Sequence, residues 1–167
     1  MKKLTLVLLL LLTTNSFAYE TGDTYVGVQY GASELEIDGI DDIENAYGLL
    51  RLGVYVTPAI TLELRYGDGI DDDTIMGVDY SIDRIAGLYA LYHPELSSAF
   101  TIYGLVGYSE ADLKAEASGG SVIEKEDDIS YGIGLDLGNI NFEYTHVLEG
   151  SNYEVNAASI GYTYHFE

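Results

Sequence analysis

Hydrophobic and polar residues alternate along several short segments of this chain. Residues 60–66 read Ile-Thr-Leu-Glu-Leu-Arg-Tyr, so every even position is apolar or aromatic and every odd position is polar. Successive side chains of a β-strand point to opposite faces, so this order gives a strand one apolar face and one charged face. Because the pattern recurs along the whole chain, we predict a protein built almost entirely of β-strands.

The alternation predicts eight strands, which cover residues 24–33, 46–57, 60–67, 80–92, 99–109, 128–137, 140–147 and 155–166. The connections between them alternate in length. Three are short, namely 57–59, 93–98 and 138–139, whereas four are long, namely 34–45, 68–79, 110–127 and 148–154. Strands joined by alternately short and long connections indicate an all-β fold, an eight-stranded antiparallel up-and-down transmembrane β-barrel.

One strand, 80–92, has two possible registers. If its even residues face outward, Arg84 lies on the outer face, and if its odd residues do, Asp83 and Tyr89 lie there instead. We favour the even register because it keeps Gly87 inside, where most other strand glycines lie. An outward Arg costs only about 0–1 kcal/mol near the membrane interface.

The first eighteen residues differ from the rest. Two lysines precede a nine-residue apolar run and a stretch of small residues that ends at Ala18. This order is typical of an export signal, and we expect cleavage between Ala18 and Tyr19. The apolar run is shorter than the roughly 20 residues that a membrane-spanning helix needs. We therefore divide the chain into a signal peptide, 1–18, and an outer-membrane β-barrel domain, 19–167.

The composition narrows the class of partner. The chain has no Cys, 19 Gly and 16 Tyr, and its formal net charge is −21. Such acidity argues against nucleic acid as a partner. Of the 28 acidic residues, 21 lie in or beside the long connections. Charged runs of this kind cannot cross a bilayer core, so we expect the long connections to form a solvated rim on one side of the membrane.

Aromatic residues fall at both predicted membrane interfaces. Outward tyrosines lie near one end of the four upward strands, and outward aromatics lie near the opposite end of the last strand. Rings with a polar hydroxyl favour the membrane–water interface, so this placement favours a membrane barrel over a soluble β-sandwich. The predicted aromatic girdle consists of Tyr30, Tyr66, Tyr108, Tyr144, Tyr164 and Phe166.

The export signal, the eight alternating strands and the aromatic terminal segment 161–166 resemble the small eight-stranded outer-membrane barrels of the OmpA/OmpX type. The resemblance covers essentially the whole of 19–167 and rests on pattern rather than on a specific motif. It implies a monomer in the bacterial outer membrane that is inserted by the barrel-assembly machinery and contacts lipid and lipopolysaccharide. Family members usually end on the terminal aromatic, whereas this chain ends one residue later, Phe166-Glu167.

Charged residues also fall on the predicted inward face. An eight-stranded barrel is just wide enough for side chains to fill it, so charges there should pair. We expect an interior ion network, together with Tyr47, Tyr55 and Tyr103, that closes the barrel. Its alternative is a narrow porin-like channel for ions or small solutes. The inward charged residues are Arg51, Glu63, Arg65, Asp136 and Glu143.

The sequence contains no residue pattern that predicts a catalytic or metal site. His146 has no Ser beside it on its own face of the strand, so a Ser-His-acid arrangement is not indicated. Residues 68–73 are acidic but lack the glycine and glutamate spacing of a calcium loop. We expect no enzyme activity, no cofactor and no dedicated metal site. The acidic rim could still bridge to lipopolysaccharide through divalent cations, and we interpret the protein as structural or surface-interacting.

Overall fold

The computed structural model describes residues 19–37, 43–75, 78–94, 100–117, 120–149 and 153–166. These residues form nine β-strands, with no helix long and apolar enough to cross a membrane among them. The strands are β1 (Thr24–Ile37), β2 (Ile43–Thr57), β3 (Ile60–Gly69), β4 (Asp72–Ile75), β5 (Val78–Tyr92), β6 (Thr101–Ala117), β7 (Gly120–Leu137), β8 (Ile140–Glu149) and β9 (Tyr153–Phe166). The predicted signal, 1–18, lies outside the described residues.

Eight of these strands close a barrel. Each pairs antiparallel with its neighbours in the chain, β1 pairs with β9, and β3 pairs directly with β5. The short β4 pairs with β5 alone and extends the wall beyond the end of β3. The predicted fold class, an eight-stranded antiparallel up-and-down β-barrel, is therefore confirmed.

The two ends of the barrel differ. At one end, here called the turn end, the strands are joined by tight connections such as Gly138-Asn139, where Gly138 adopts a φ of 63° that favours glycine. Thr24 and Phe166, near the two chain ends, pair at this end. At the opposite end, here called the hairpin end, paired strands continue well beyond the predicted boundaries.

The predicted loop over 110–127 is wrong. β6 and β7 continue through it as a paired hairpin, up to the Ala117–Gly120 pair. Alternation of apolar residues ends there because both faces can be hydrated, but backbone pairing does not require apolar side chains. Charge pairs across the strands support it, as between Lys125 Nζ and Glu110 Oε2 at 2.7 Å.

The favoured register of β5, with even residues outward, is confirmed over the part of the strand nearer the turn end. Leu88 and Tyr92 are more than half exposed on the outer face, whereas Tyr89 and Leu91 are buried inside. A bulge at Asp83 shifts the pairing with β6. On the side of the bulge nearer the hairpin end, the even residue Ile82 therefore points inward. An inserted residue reverses which face the following side chains occupy, and this the alternation alone did not predict.

Arg84 lies on the outer face immediately after this bulge. Its Nη2 atom is 2.5 Å from Glu110 Oε1 and 3.1 Å from Asp112 Oδ2, both on the adjacent strand β6. The arginine is therefore neutralised by neighbours of the same outer surface. A second bulge occurs in β8 between His146 and Leu148.

Candidate functional site

Four charged side chains meet in the middle of the barrel interior, here called the lumen. Arg51 from β2, Glu63 and Arg65 from β3, and Glu143 from β8 form the charge cluster. Arg51 Nη2 lies 2.8 Å from Glu63 Oε2 and 3.1 Å from Glu143 Oε1. Arg65 Nε lies 2.5 Å from Glu63 Oε1, and its Nη1 lies 2.7 Å from Glu143 Oε2. Each cation thus contacts both anions.

Neutral side chains complete the hydrogen bonds of the cluster. Tyr25 donates its hydroxyl to Glu63, and Tyr103 donates to Glu143 Oε1 at 2.6 Å. Gln29 Nε2 donates to Glu143 Oε2 at 2.9 Å. Arg51 Nη1 in turn donates to Asn141 Oδ1 at 2.7 Å. Strand parity could have indicated Tyr25, Gln29 and Asn141, since they share the inward face with the charged residues.

The charge cluster is almost completely removed from solvent. The side chains of Glu63 and Glu143 are 0% exposed, and those of Arg51 and Arg65 are 2% and 4% exposed. Two cations face two anions, so the cluster is electrically neutral. Buried charges persist only when paired and hydrogen-bonded, because their desolvation is costly. The arrangement therefore favours a fixed, closed centre.

Asp136 does not join the charge cluster, contrary to the sequence expectation. It lies at the turn end of β7, where its Oδ2 atom is 3.8 Å from His93 Nδ1 and its side chain is 28% exposed. The alternation of side chains predicted correctly that Asp136 faces inward, but it did not predict how far along the barrel axis Asp136 lies.

Aromatic rings fill the lumen at the turn end. Tyr19 stacks on Tyr55 with 4.3 Å between ring centroids and on His165 with 4.8 Å. His93 lies against Tyr55 at 5.9 Å and is buried. We call Tyr19, Tyr55, His93 and His165 the lower aromatic layer. It separates the charge cluster from solvent at this end, and Tyr103 links the two, with its ring 5.1 Å from that of His93.

Apolar side chains fill the lumen on the other side of the charge cluster, toward the hairpin end. Membrane barrels usually have polar interiors, so this layer was not expected. Leu113 and Val147 pack against two groups of buried residues and join them into one layer. This upper apolar layer consists of Tyr47, Leu49, Ile82, Ile85, Ala111, Leu113, Val147, Leu148, Val155 and Ala157.

A small cavity lies between the upper apolar layer and the charge cluster. Its volume is about 50 Å³, and Arg65 and Tyr89 contribute to its lining beside residues of the apolar layer. The Arg65 guanidinium lies over the Tyr89 ring, 4.3 Å from its centroid. Tyr89 also forms a hydrogen bond with Ser109, which in turn accepts one from Ser130 at 2.7 Å.

Glycines make room for the luminal tyrosines. A Cβ atom built on Gly134 would lie 2.1 Å from Tyr103 Cζ, and one on Gly53 would lie 2.1 Å from Tyr25 Cζ. No residue with a side chain fits these positions unless the ring moves. The glycines of the inward face therefore determine where the tyrosines that bind Glu63 and Glu143 can lie.

The residues of the predicted aromatic girdle all lie on the outer face. They are between 49% and 56% exposed, as expected for rings that would contact lipid rather than the lumen. Their side chains point away from the charge cluster. These residues are Tyr30, Tyr66, Tyr108, Tyr144, Tyr164 and Phe166.

His146, near the hairpin end of β8, is buried. Its ring stacks on Tyr131 at 4.9 Å, and its Nδ1 atom lies 3.1 Å from Asn156 Oδ1 and 3.3 Å from Glu154 Oε1. These contacts fix the ring. Within the described ranges, no three His, Asp or Glu side chains are grouped closely enough to hold a metal ion.

Comparison with known proteins gives a consistent assignment. The family described as outer membrane protein beta-barrel domain matches residues 4–166. A search of curated proteins found no match.

Three solved structures show the same fold. Ail, the attachment invasion locus protein of Yersinia pestis, is 16% identical with a TM-score of 0.65, over 87% of this chain and 99% of Ail. Neisserial surface protein A is 12% identical with a TM-score of 0.67, over 86% of this chain and 97% of that protein. OprG of Pseudomonas aeruginosa is 16% identical with a TM-score of 0.55, over 89% of this chain and 99% of OprG.

Proposed function

Because the chain belongs to the outer membrane protein beta-barrel domain family, we propose that it is an integral outer-membrane protein with a structural and surface-interaction role and a closed lumen. The observation that carries this proposal is the charge cluster. Its four charged groups are neutralised within the protein and have no more than 4% of their side-chain surface exposed. A conducting pore needs a hydrated path, and the near-complete burial of these groups is evidence against such a path along the lumen.

The family architecture suggests an orientation. Outer-membrane barrels have short periplasmic turns and longer extracellular loops. We assign the turn end to the periplasm and the hairpin end to the cell surface. Export through cleavage of the signal 1–18 and insertion by the barrel-assembly machinery form part of the proposal.

The hairpin end is the surface that would interact with partners. Most acidic residues of the chain lie in or beside the segments that form it, and the protein carries a net charge of −21. Carboxylate oxygens are the ligands that Ca²⁺ and Mg²⁺ prefer. Divalent cations would therefore connect this acidic rim to the anionic groups of lipopolysaccharide, while the outer face of the barrel contacts lipid as a monomer.

Electrical recording from the refolded protein in planar lipid bilayers tests the closed lumen. We expect no steady conductance above that of the lipid. A channel role would instead give steady wild-type conductance that the Arg65→Glu variant abolishes, and this result would contradict the proposal. Each preparation needs a check of folding, for which faster migration of the unheated protein on a gel serves. The same assay with membrane fractionation tests the barrel itself, because a soluble protein with no heat-dependent shift would overturn the assignment.

Addition of divalent cations tests the surface role. We expect binding of the folded protein to immobilised lipopolysaccharide to increase with Mg²⁺ and to be reversed by a chelator. Binding that is independent of divalent cations would exclude bridging through the acidic rim.

A further inference from the structure

We propose that the upper apolar layer, and not the charge cluster, is the barrier that stops water and ions from passing along the lumen. The proposal rests on the closed lumen proposed above and names the residues that close it from the cell surface. It concerns the half of the lumen that faces the hairpin end.

The layer spans the lumen because its members come from opposite sides of the wall. Leu49 is on β2, Ile82 on β5, Leu113 on β6, and Leu148 and Val155 are on β8 and β9. Leu49, Ile82, Leu148 and Val155 are at most 9% exposed. Leu49 and Ile82 belong to one buried group and Leu148 and Val155 to another, and Leu113 and Val147 pack against both groups. Ile82 and Leu113 also form a cross-strand pair. Side chains from five strands thus meet in the interior.

The bulges of β5 and β8 contribute to this convergence. The bulge at Asp83 directs Ile82 inward, and the bulge before Leu148 brings both Val147 and Leu148 into contact with the layer. Bulges are common at barrel rims, where they redirect side chains. Here both redirect apolar side chains into the lumen.

The cavity beneath the layer is a poor site for water. Its volume of about 50 Å³ leaves room for few molecules, and its lining is mostly apolar. Buried water usually makes two to four hydrogen bonds, and apolar cavities remain dry. The polar groups around the cavity belong to Ser33, Tyr47, Arg65, Tyr89 and Thr145. Several already have partners, since Arg65 binds Glu63 and Glu143, Tyr89 binds Ser109, and Ser33 donates to the Asn45 carbonyl.

The two candidate barriers differ in how they would oppose permeation. Members of a charge cluster can exchange partners with water or with a passing ion, so pairing alone need not exclude a solute. An apolar constriction offers no hydrogen bonds and excludes ions because it is dewetted. An ion that crosses it must lose its hydration shell without replacement. The 0% exposure of Glu63 and Glu143 is consistent with an apolar layer above them that excludes water.

The absence of Cys from the chain gives a direct test. Ser109→Cys places a single thiol beside Tyr89, below the layer, at a position that is 0% exposed. Ser121→Cys places one on the exposed part of the hairpin and reports the fraction of barrels whose hairpin end faces the reagent. A small membrane-impermeant cationic thiol reagent is added outside vesicles that contain the folded protein.

We expect the thiol at position 109 to react far more slowly than the thiol at position 121. Addition of Ile82→Asn and Leu113→Asn to the Ser109→Cys background should accelerate the reaction about tenfold or more, because polar side chains hydrate the layer. Arg65→Gln with Glu143→Gln, which removes one cation and one anion and leaves Arg51 with Glu63, should leave the reaction slow. Leu113→Asn alone, at a half-buried position, is used if the double variant does not fold.

Three results would overturn the proposal: rapid reaction in the Ser109→Cys protein, rapid reaction in the charge-cluster variant with the apolar layer intact, or slow reaction in the folded layer variant. These outcomes are separate from failure of the proposed function, which bilayer conductance of the wild type measures. If the wild type shows no conductance but the thiol at position 109 reacts rapidly, the closed lumen stands and the upper apolar layer is not its barrier.

Discussion

Arg65 spans the lumen from β3 and donates two hydrogen bonds to Glu143 on β8. Its Nη1 atom lies 2.7 Å from Glu143 Oε2, and its Nη2 atom lies 3.0 Å from Glu143 Oε1. The two residues are 78 positions apart in sequence. Such a bidentate pair combines charge attraction with a fixed geometry, and it connects opposite parts of the barrel wall.

Removal of one partner of this pair should destabilise the barrel more than removal of both. Arg65→Met leaves Glu143 buried without its main cation, and loss of one partner of a buried pair typically costs about 3–5 kcal/mol. Arg65→Met with Glu143→Met leaves a neutral cluster and should recover most of that loss. Urea unfolding in lipid vesicles measures the free energies. Equal destabilisation by the single and double variants would show that the pair is not the relevant interaction.

Gly134→Ala should destabilise the protein by about 1–3 kcal/mol through overpacking. The added methyl group would lie 2.1 Å from Tyr103 Cζ, and the ring is held by its hydrogen bond to Glu143. Gly104→Ala is the matched control. Gly104 follows Tyr103 on β6 and faces outward, and a Cβ atom there meets nothing within 4 Å. We expect the control to be neutral or slightly stabilising. Equal effects of both variants on unfolding would refute the packing argument.

Acid should weaken the barrel through His93, which follows β5 in a turn-end connection. Burial lowers the pKa of His93 to about 4 from its ordinary value of 6.5. The unfolded chain therefore takes up a proton first as the pH falls, so stability is lost between about pH 6.5 and 4 and is unaffected above that range. His93→Gln should remove a loss on the order of 3 kcal/mol at the acid end. Unfolding at pH 7.5 and 4.5 compares the two proteins, and parallel pH profiles would contradict the prediction.

The mature protein should begin at Tyr19. Intact mass and N-terminal sequence of the protein from the outer-membrane fraction test this directly, with Ala18→Leu as the variant that should block cleavage. Tyr19 stacks on Tyr55 and His165 in the lower aromatic layer. A mature chain that begins after Tyr19 would lack part of this layer and would refute the assignment of the cleavage site.

Alternation predicted the fold and most of the charge cluster because side-chain parity is a local property. Glu63 and Arg65 share a face by their spacing alone, and any closed barrel directs that face to the lumen. Asp136 has the correct parity but lies too near the turn end, since height depends on the stagger between strands. That stagger is a property of long-range pairing, which a single sequence pattern does not contain.

The upper apolar layer escaped prediction for a related reason. Leu49 and Leu50 are consecutive, as are Val147 and Leu148, which indicates that both faces of β2 and β8 are apolar at that height. Ile82 could not be assigned to the lumen by parity, because the bulge at Asp83 arises from its pairing with β6. A bulge becomes evident only when both strands are aligned.

The bulges of β5 and β8 also mark the height at which the requirements on the wall of the barrel change. Between these bulges and the turn end, apolar side chains must face lipid and polar ones must face the lumen. An insertion or deletion of one residue there would turn charged groups toward the bilayer. Beyond the upper apolar layer, the hairpin of β6 and β7 is hydrated on both faces, so both faces can be polar. An insertion or deletion in the hairpin end would therefore leave the alternation of the membrane-spanning part unchanged, so this end can vary in length on the same barrel.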